Sequence, residues 1–149
     1  MSQAAQAPLP SVIEQLVDAV NHRDLASLVT CFAEDYANQT PAHPERGFRG
    51  REQVHRNWTQ IFAEVPDIQA RVLRSVTDGV TVWTEWRMTG TRRSNATVFD
   101  MTGVVIYEVT DGLIESAALY LEPVEQASGD IDTAIHRAVG HGTNPKDNS

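Results

Sequence analysis

The chain has 149 residues, 41% of them hydrophobic, enough for one domain whose core needs neither disulfides nor a metal. Its net charge of -8 and pI near 5.0 disfavour a nonspecific nucleic-acid or anionic-membrane surface. Cys31 is the single cysteine, the first ten residues lack the basic and apolar regions of an export signal, and no run approaches the ~20 apolar residues of a membrane span, so a cytoplasmic protein without disulfides is expected.

Residues 1–10 read as a flexible N-terminus, 11–124 as one domain and 125–149 as a C-terminal extension. Val12, Ile13, Leu16, Val17 and Val20 recur at three- to four-residue spacing and predict a first helix. A polar bend at 21–24 follows, and Leu25, Leu28, Val29 and Phe32 resume the stripe in a second helix that Asp24 can cap. Cys31 falls in this apolar run and reads as a core residue, whereas Glu34 and Asp35 belong nearer a solvated helix end. With Pro41, Pro44 and two glycines, 38–50 reads as a loop. A third helix over 51–63 carries Val54, Trp58, Ile61 and Phe62 on one stripe and ends at Pro66-Asp67.

Beyond Pro66 the period changes from 3.6 to 2, predicting strands over 68–76, 80–91, 97–109 and 113–121. Asp78-Gly79 and Asp111-Gly112 are turn signals and 92–96 can join the middle pair, so an antiparallel meander is expected. Helices first and a curled antiparallel sheet afterwards make an α+β domain. Residues 131–139 can form a short helix, and HGTNPKDNS at the end reads as frayed. In the second strand Thr84, Trp86 and Met88 share one face while Trp83, Glu85 and Arg87 share the other, so the two Trp serve different layers. Trp83, Val104, Ile106 and Tyr120 form an apolar outer face suited to a homodimer, and Glu85, Arg87 and Asp100 on that side suit ion pairs across strands or subunits.

FAEDYAN at 32–38, FRGREQV at 48–54, Glu85-Trp86 followed by Gly90, and VVIYEVTDGLI at 104–114 occur in an order that resembles the SnoaL-like group of the nuclear-transport-factor-2-like superfamily. That group includes polyketide cyclases and, more distantly, limonene-epoxide hydrolase and ketosteroid isomerase. The resemblance covers residues 12–124 and implies a cone of three helices closed by a strongly curved antiparallel sheet around a mostly apolar pocket, often in a dimer. Laid on that fold, the strand rhythm points Thr84, Trp86 and Met88 into the cavity. Met101, Gly103 and Val105 join them from the next strand, Ala117, Leu119 and Leu121 from the last, and Trp58 and Phe62 from the third helix. Such a wall suits a hydrophobic or aromatic small molecule. Gly103, opposite Trp86, either makes room or lets the sheet bend.

For the epoxide hydrolases the resemblance implies a Tyr, an Asn, an Arg and two Asp. Tyr36 and Asn38 match the first two, but the Arg position falls on Trp86 and the two Asp positions on Met88 and Leu119. The cyclases' Asp general acid/base also falls near Leu119, which cannot transfer a proton. Tyr36 and Asn38 remain as candidate catalytic and ligand-binding residues, short-range neutral partners for a ligand oxygen or a water. Among the histidines, His22, His55, His136 and His141 form no metal-ligand set, and His43, in the Pro-rich loop, is the candidate base. A glycine-rich phosphate loop, nucleophile elbow and dinucleotide fingerprint are all missing, so no cofactor is implied. Two functions stay open: a binder of a hydrophobic or aromatic small molecule in specialised metabolism, or a cofactor-independent cyclase, isomerase or hydrolase acting on a polyketide-, steroid- or epoxide-like substrate.

Overall fold

Leu16, Val20 and the other apolar residues of the first stripe lie on one face of α1 (Ser11–Asn21), and that face packs onto the concave side of a six-stranded sheet. The computed structural model describes residues 8–126 and 129–140; the C-terminal HGTNPKDNS lies outside the described residues, as do residues 1–7. Helix α2 (Leu25–Val29) is short, and Asp24 caps it by accepting from the Ser27 N–H at 3.1 Å. The chain then runs through β1 (Phe32–Gln39), a 3-10 turn (Pro44–Arg46), β2 (Phe48–Arg49) and α3 (Arg51–Glu64). Four long strands follow: β3 (Gln69–Asp78), β4 (Thr81–Thr91), β5 (Val98–Thr110) and β6 (Leu113–Pro123). Helix α4 (Ile131–Val139) ends the described chain.

The spatial order is β2-β1-β6-β5-β4-β3, curled but not closed. Strands β3 to β6 form the expected antiparallel meander. The sheet differs from the sequence expectation at its other end. Residues 32–39, expected to finish a helix and enter a loop, form β1, which pairs parallel with β6 and antiparallel with β2, so the sheet is mixed. The cause is burial: Phe32, Ala33, Tyr36 and Asn38 fill the space beside β6, and their backbone groups must then find ladder partners.

Both predicted tight turns are present, with Gly79 at φ 61° and Asp111-Gly112 at φ 54° and 75°, the left-handed pair that a two-residue hairpin favours. Along β4 the alternation is as read: Val82, Thr84 and Trp86 are buried while Trp83 is half exposed. Asn21, at the end of α1, bonds both backbone groups of Ala70, its Nδ2 donating to the carbonyl at 2.9 Å and its Oδ1 accepting from the N–H at 2.6 Å. This ties the helix to edge strand β3 and fixes its height above the sheet. Cys31 is fully buried, and desolvation pushes its thiol up to about 11, so it packs as a small apolar residue. No helix among the described residues is long and apolar enough to cross a membrane.

On the outer face Arg87 forks onto Asp100, with Nε to Oδ1 and Nη2 to Oδ2 both at 2.8 Å, and Arg74 pairs with Glu85 at 2.6 Å. The hydrogen bonds from Arg87 hold the Asp100 carboxyl below its ordinary 3.8, against the opposing effect of partial desolvation. A depressed carboxylate contributes stability above its unfolded pKa and loses it as pH falls through the folded value. Asp100→Asn is therefore expected to be less stable than the parent at pH 7, with the gap closing as the pH drops below that ordinary value. Urea unfolding of both proteins from pH 7 to 3 checks this, and a gap independent of pH would contradict it.

Candidate functional site

The helices stand off the curled sheet and leave a cavity of about 380 Å³ whose wall is largely apolar. That volume lies in the roughly 300–1,000 Å³ range of small-molecule sites. Its floor comes from alternate residues of the meander: Trp86 and Met88 of β4, Met101 and Val105 of β5, Leu119 of β6. Trp58 closes the side given by α3, in ring contact with Phe62 at 5.5 Å.

Trp86 is 3% exposed and held from behind, because its Nε1 donates to Thr84 Oγ1 at 2.8 Å and that hydroxyl donates to the Val105 carbonyl at 2.7 Å. Thr84 thus faces inward as read, yet it lies beneath the indole and off the cavity wall. Phe62 is also off the wall, supporting Trp58. Gly103 sits opposite Trp86 in the register but off the cavity wall, and at φ 148° a side chain there would run into the Tyr120 carbonyl, so the close approach of β5 to β6 requires glycine at this position.

On β1, Tyr36 and Asn38 are two residues apart and therefore point to the same side. Both line the cavity, and the Tyr36 hydroxyl donates to Asn38 Oδ1 at 2.7 Å. Phe32 and Phe48 hold the Tyr36 ring edge-on, at 4.8 and 6.0 Å between centroids. Tyr107 completes this buried group. It continues the phase of Met101, Gly103 and Val105 by one more step of two, and that rhythm was the signal that could have found it. Desolvation pushes both phenols above their ordinary value of 10, and for Tyr107 the neighbouring Tyr36 and Cys31 add to the rise. At neutral pH both are un-ionised hydrogen-bonding groups.

His43 lies elsewhere. Its Nε2 is 3.0 Å from Glu122 Oε2, and it does not line the cavity. Among the described residues the lining has no Asp, Glu or His, and its titratable members are Tyr36, Tyr107 and Arg46. Met88 and Leu119, where the family resemblance implies acids, do line the cavity, so apolar side chains occupy those sites. Among the described residues no group of three or more His, Cys, Asp or Glu could hold a metal ion. Arg46, on the 3-10 turn, and Asn57, on α3, also reach the wall and were not read from the sequence.

This architecture, a cone of helices over a curled sheet with an apolar chamber between, is that of a small-molecule-binding α+β domain. The chain belongs to the SnoaL-like domain family, whose model matches residues 13–117. No functionally curated protein gives a significant sequence match. Among solved structures it is similar to IdmH of Streptomyces antibioticus, a candidate polyketide cyclase, at 27% identity over 77% of this chain and 93% of that one, with a TM-score of 0.66. An LEH-like epoxide hydrolase of M. tuberculosis matches at 17% identity, covering 76% and 81% of the two chains, with a TM-score of 0.65. A protein of Catenulispora acidiphila with a ketosteroid isomerase-like fold, in complex with trimethylamine, matches at 19% identity over 74% and 85%, also at 0.65. The last two likenesses bear on the fold alone.

Proposed function

We propose that the domain, residues 11–124, binds a hydrophobic or aromatic small molecule of specialised metabolism in this cavity. The carrying observation is the wall itself: aromatic and aliphatic groups with a few neutral hydrogen-bonding side chains and one guanidinium, Arg46, and among the described residues no carboxylate or imidazole to move a proton near neutral pH. Asn38, whose Oδ1 is taken by Tyr36, presents its NH2 to a ligand oxygen. The test is capture of metabolites on the purified protein with mass spectrometry of bound and transformed species. Recovery of an unchanged hydrophobic compound supports binding, and recovery of nothing opposes it.

A second reading, a cofactor-independent cyclase, isomerase or hydrolase, is favoured by the Tyr36–Asn38 pair on the wall and by the likeness to IdmH. Transformed species in the same capture experiment would support it, with Tyr36, Asn38 or a bound water as the groups available, His43 lying off the cavity. In either case Tyr36→Phe is expected to reduce affinity for an oxygenated ligand by about 0.5–1.5 kcal/mol, the net worth of a hydrogen bond, with little effect on a hydrocarbon analogue. Paired titrations check the difference.

The binding unit is a homodimer in this proposal. Trp83 is 50% and Tyr120 45% exposed, and the registers Trp83 to Ile106 and Val104 to Tyr120 make them one apolar patch across three strands. A second copy, meeting the same patch by two-fold symmetry, removes it from water. Sedimentation at micromolar concentration should give a dimer that Trp83→Lys dissociates; a monomeric parent would contradict this. A cytoplasmic location suits a protein whose one thiol is buried and unpaired.

A further inference from the structure

Three side chains on the cavity wall, Asn38, Arg46 and Asn57, carry N–H donors that no protein group among the described residues takes up. On α3, Arg56 Nη2 donates to Gln53 Oε1 at 2.6 Å, and Gln53 Nε2 donates to Asn57 Oδ1 at 2.7 Å. A guanidinium can only donate, so Arg56 fixes the carbonyl end of Gln53, turns its NH2 toward Asn57 and leaves Asn57 with its carbonyl engaged. What Asn57 has left for the cavity is its NH2 group. Arg46 lines the same cavity, and among the described residues its guanidinium has no hydrogen-bond or ion-pair partner. Among the described residues it is the one charged side chain on that wall. Asn38 adds a further NH2 beyond its bond to Tyr36.

We infer that the ligand carries a carboxylate, received by the Arg46 guanidinium and the Asn57 NH2, with its apolar body against Trp86 and Trp58. This deepens the binding reading above and rests on it. A carboxylate supplies only acceptors, matching the spare N–H groups of Arg46 and Asn57, and an Arg fork can take both of its oxygens. Gln53 and Arg56 are positioning residues here, because they set which end of Asn57 faces the ligand. The acidic protein as a whole repels an anion, so discrimination has to arise from these local groups.

Calorimetric titration of the full chain at pH 7 with 2-naphthoic acid and 2-naphthalenemethanol tests the assignment. The acid is expected to bind about tenfold more tightly than the alcohol, with a preference that shrinks in 0.5 M salt, as charge-assisted bonds at a partly exposed site do. Arg46→Gln and Asn57→Asp should each abolish the preference, the second because it puts a carboxylate oxygen where the donor was. Arg46→Lys, which keeps the charge, should retain part of it. Circular dichroism of each variant establishes that it is folded. Equal affinity of the parent for both probes, or a preference that survives in both Arg46→Gln and Asn57→Asp, overturns the inference while leaving the binding reading standing. If neither probe binds and metabolite capture also yields nothing, both fall together.

Discussion

Gly103→Ala is expected to destabilise the protein by about 2–6 kcal/mol, from strain and overpacking that each cost roughly 1–3 kcal/mol. At φ 148° the residue lies where side chains are rarely tolerated, and a Cβ there would come within 2.0 Å of the Tyr120 carbonyl oxygen and 2.9 Å of Leu121 Cα. Both are backbone atoms of β6 and cannot rotate aside. Relief would require opening the β5–β6 ladder where Gly103 pairs with Leu121. Against a typical stability of about 5–15 kcal/mol such a loss is a large fraction. Gly112→Ala is the comparison: its φ is also positive at 75°, but nothing lies within 4 Å of the added carbon, and about 1 kcal/mol is expected. Urea unfolding of the two variants measures the difference. A Gly103→Ala protein within about 1 kcal/mol of the parent would show that the close approach is not tight.

Trp86→Ala should have the largest effect on the site, with a stability loss of about 3–5 kcal/mol for a buried aromatic and at least a tenfold weaker titration with 2-naphthalenemethanol. The indole forms the floor of the cavity and is anchored by the Thr84 hydroxyl, so its truncation removes ligand contact and leaves Thr84 without its donor. Trp86→Phe restores much of the ring and is expected to fold stably with an intermediate affinity. It keeps the test decisive if the alanine variant unfolds. Tyr36→Phe should cost less than either, because it deletes one hydroxyl from a ring that Phe32 and Phe48 still hold. Binding unchanged in both Trp86 variants would place the ligand elsewhere.

The apolar patch on α4 shows how local pattern and packing separate. Ile131, Ile135 and Val139 recur every four residues and make a helix with one apolar face, yet all three are exposed. Periodicity specified the element without specifying a partner. The same distinction runs through the cavity. Thr84 and Trp86 share a phase on β4, but only Trp86 reaches the open space because the larger side chain lies across the smaller one.

What the sequence determined by itself was the change of period after Pro66, the two tight turns and the phases of β4, β5 and β6, because a half-buried strand records its inner face in every second residue. Laid on the fold that the family resemblance implies, these phases place Trp86, Met88, Met101, Val105 and Leu119 on the inner side. Tertiary structure decided the rest. Strand β1 carries Glu34 and Asp35 in its middle and a register shift between Phe32 and Ala37, so no clean alternation marks it, and it is a strand because β6 receives it. Arg46 and Asn57 come from a turn and a helix that local rules describe as polar. Their convergence on one cavity depends on how far α3 stands from the sheet, a distance set by long-range packing that no local period encodes.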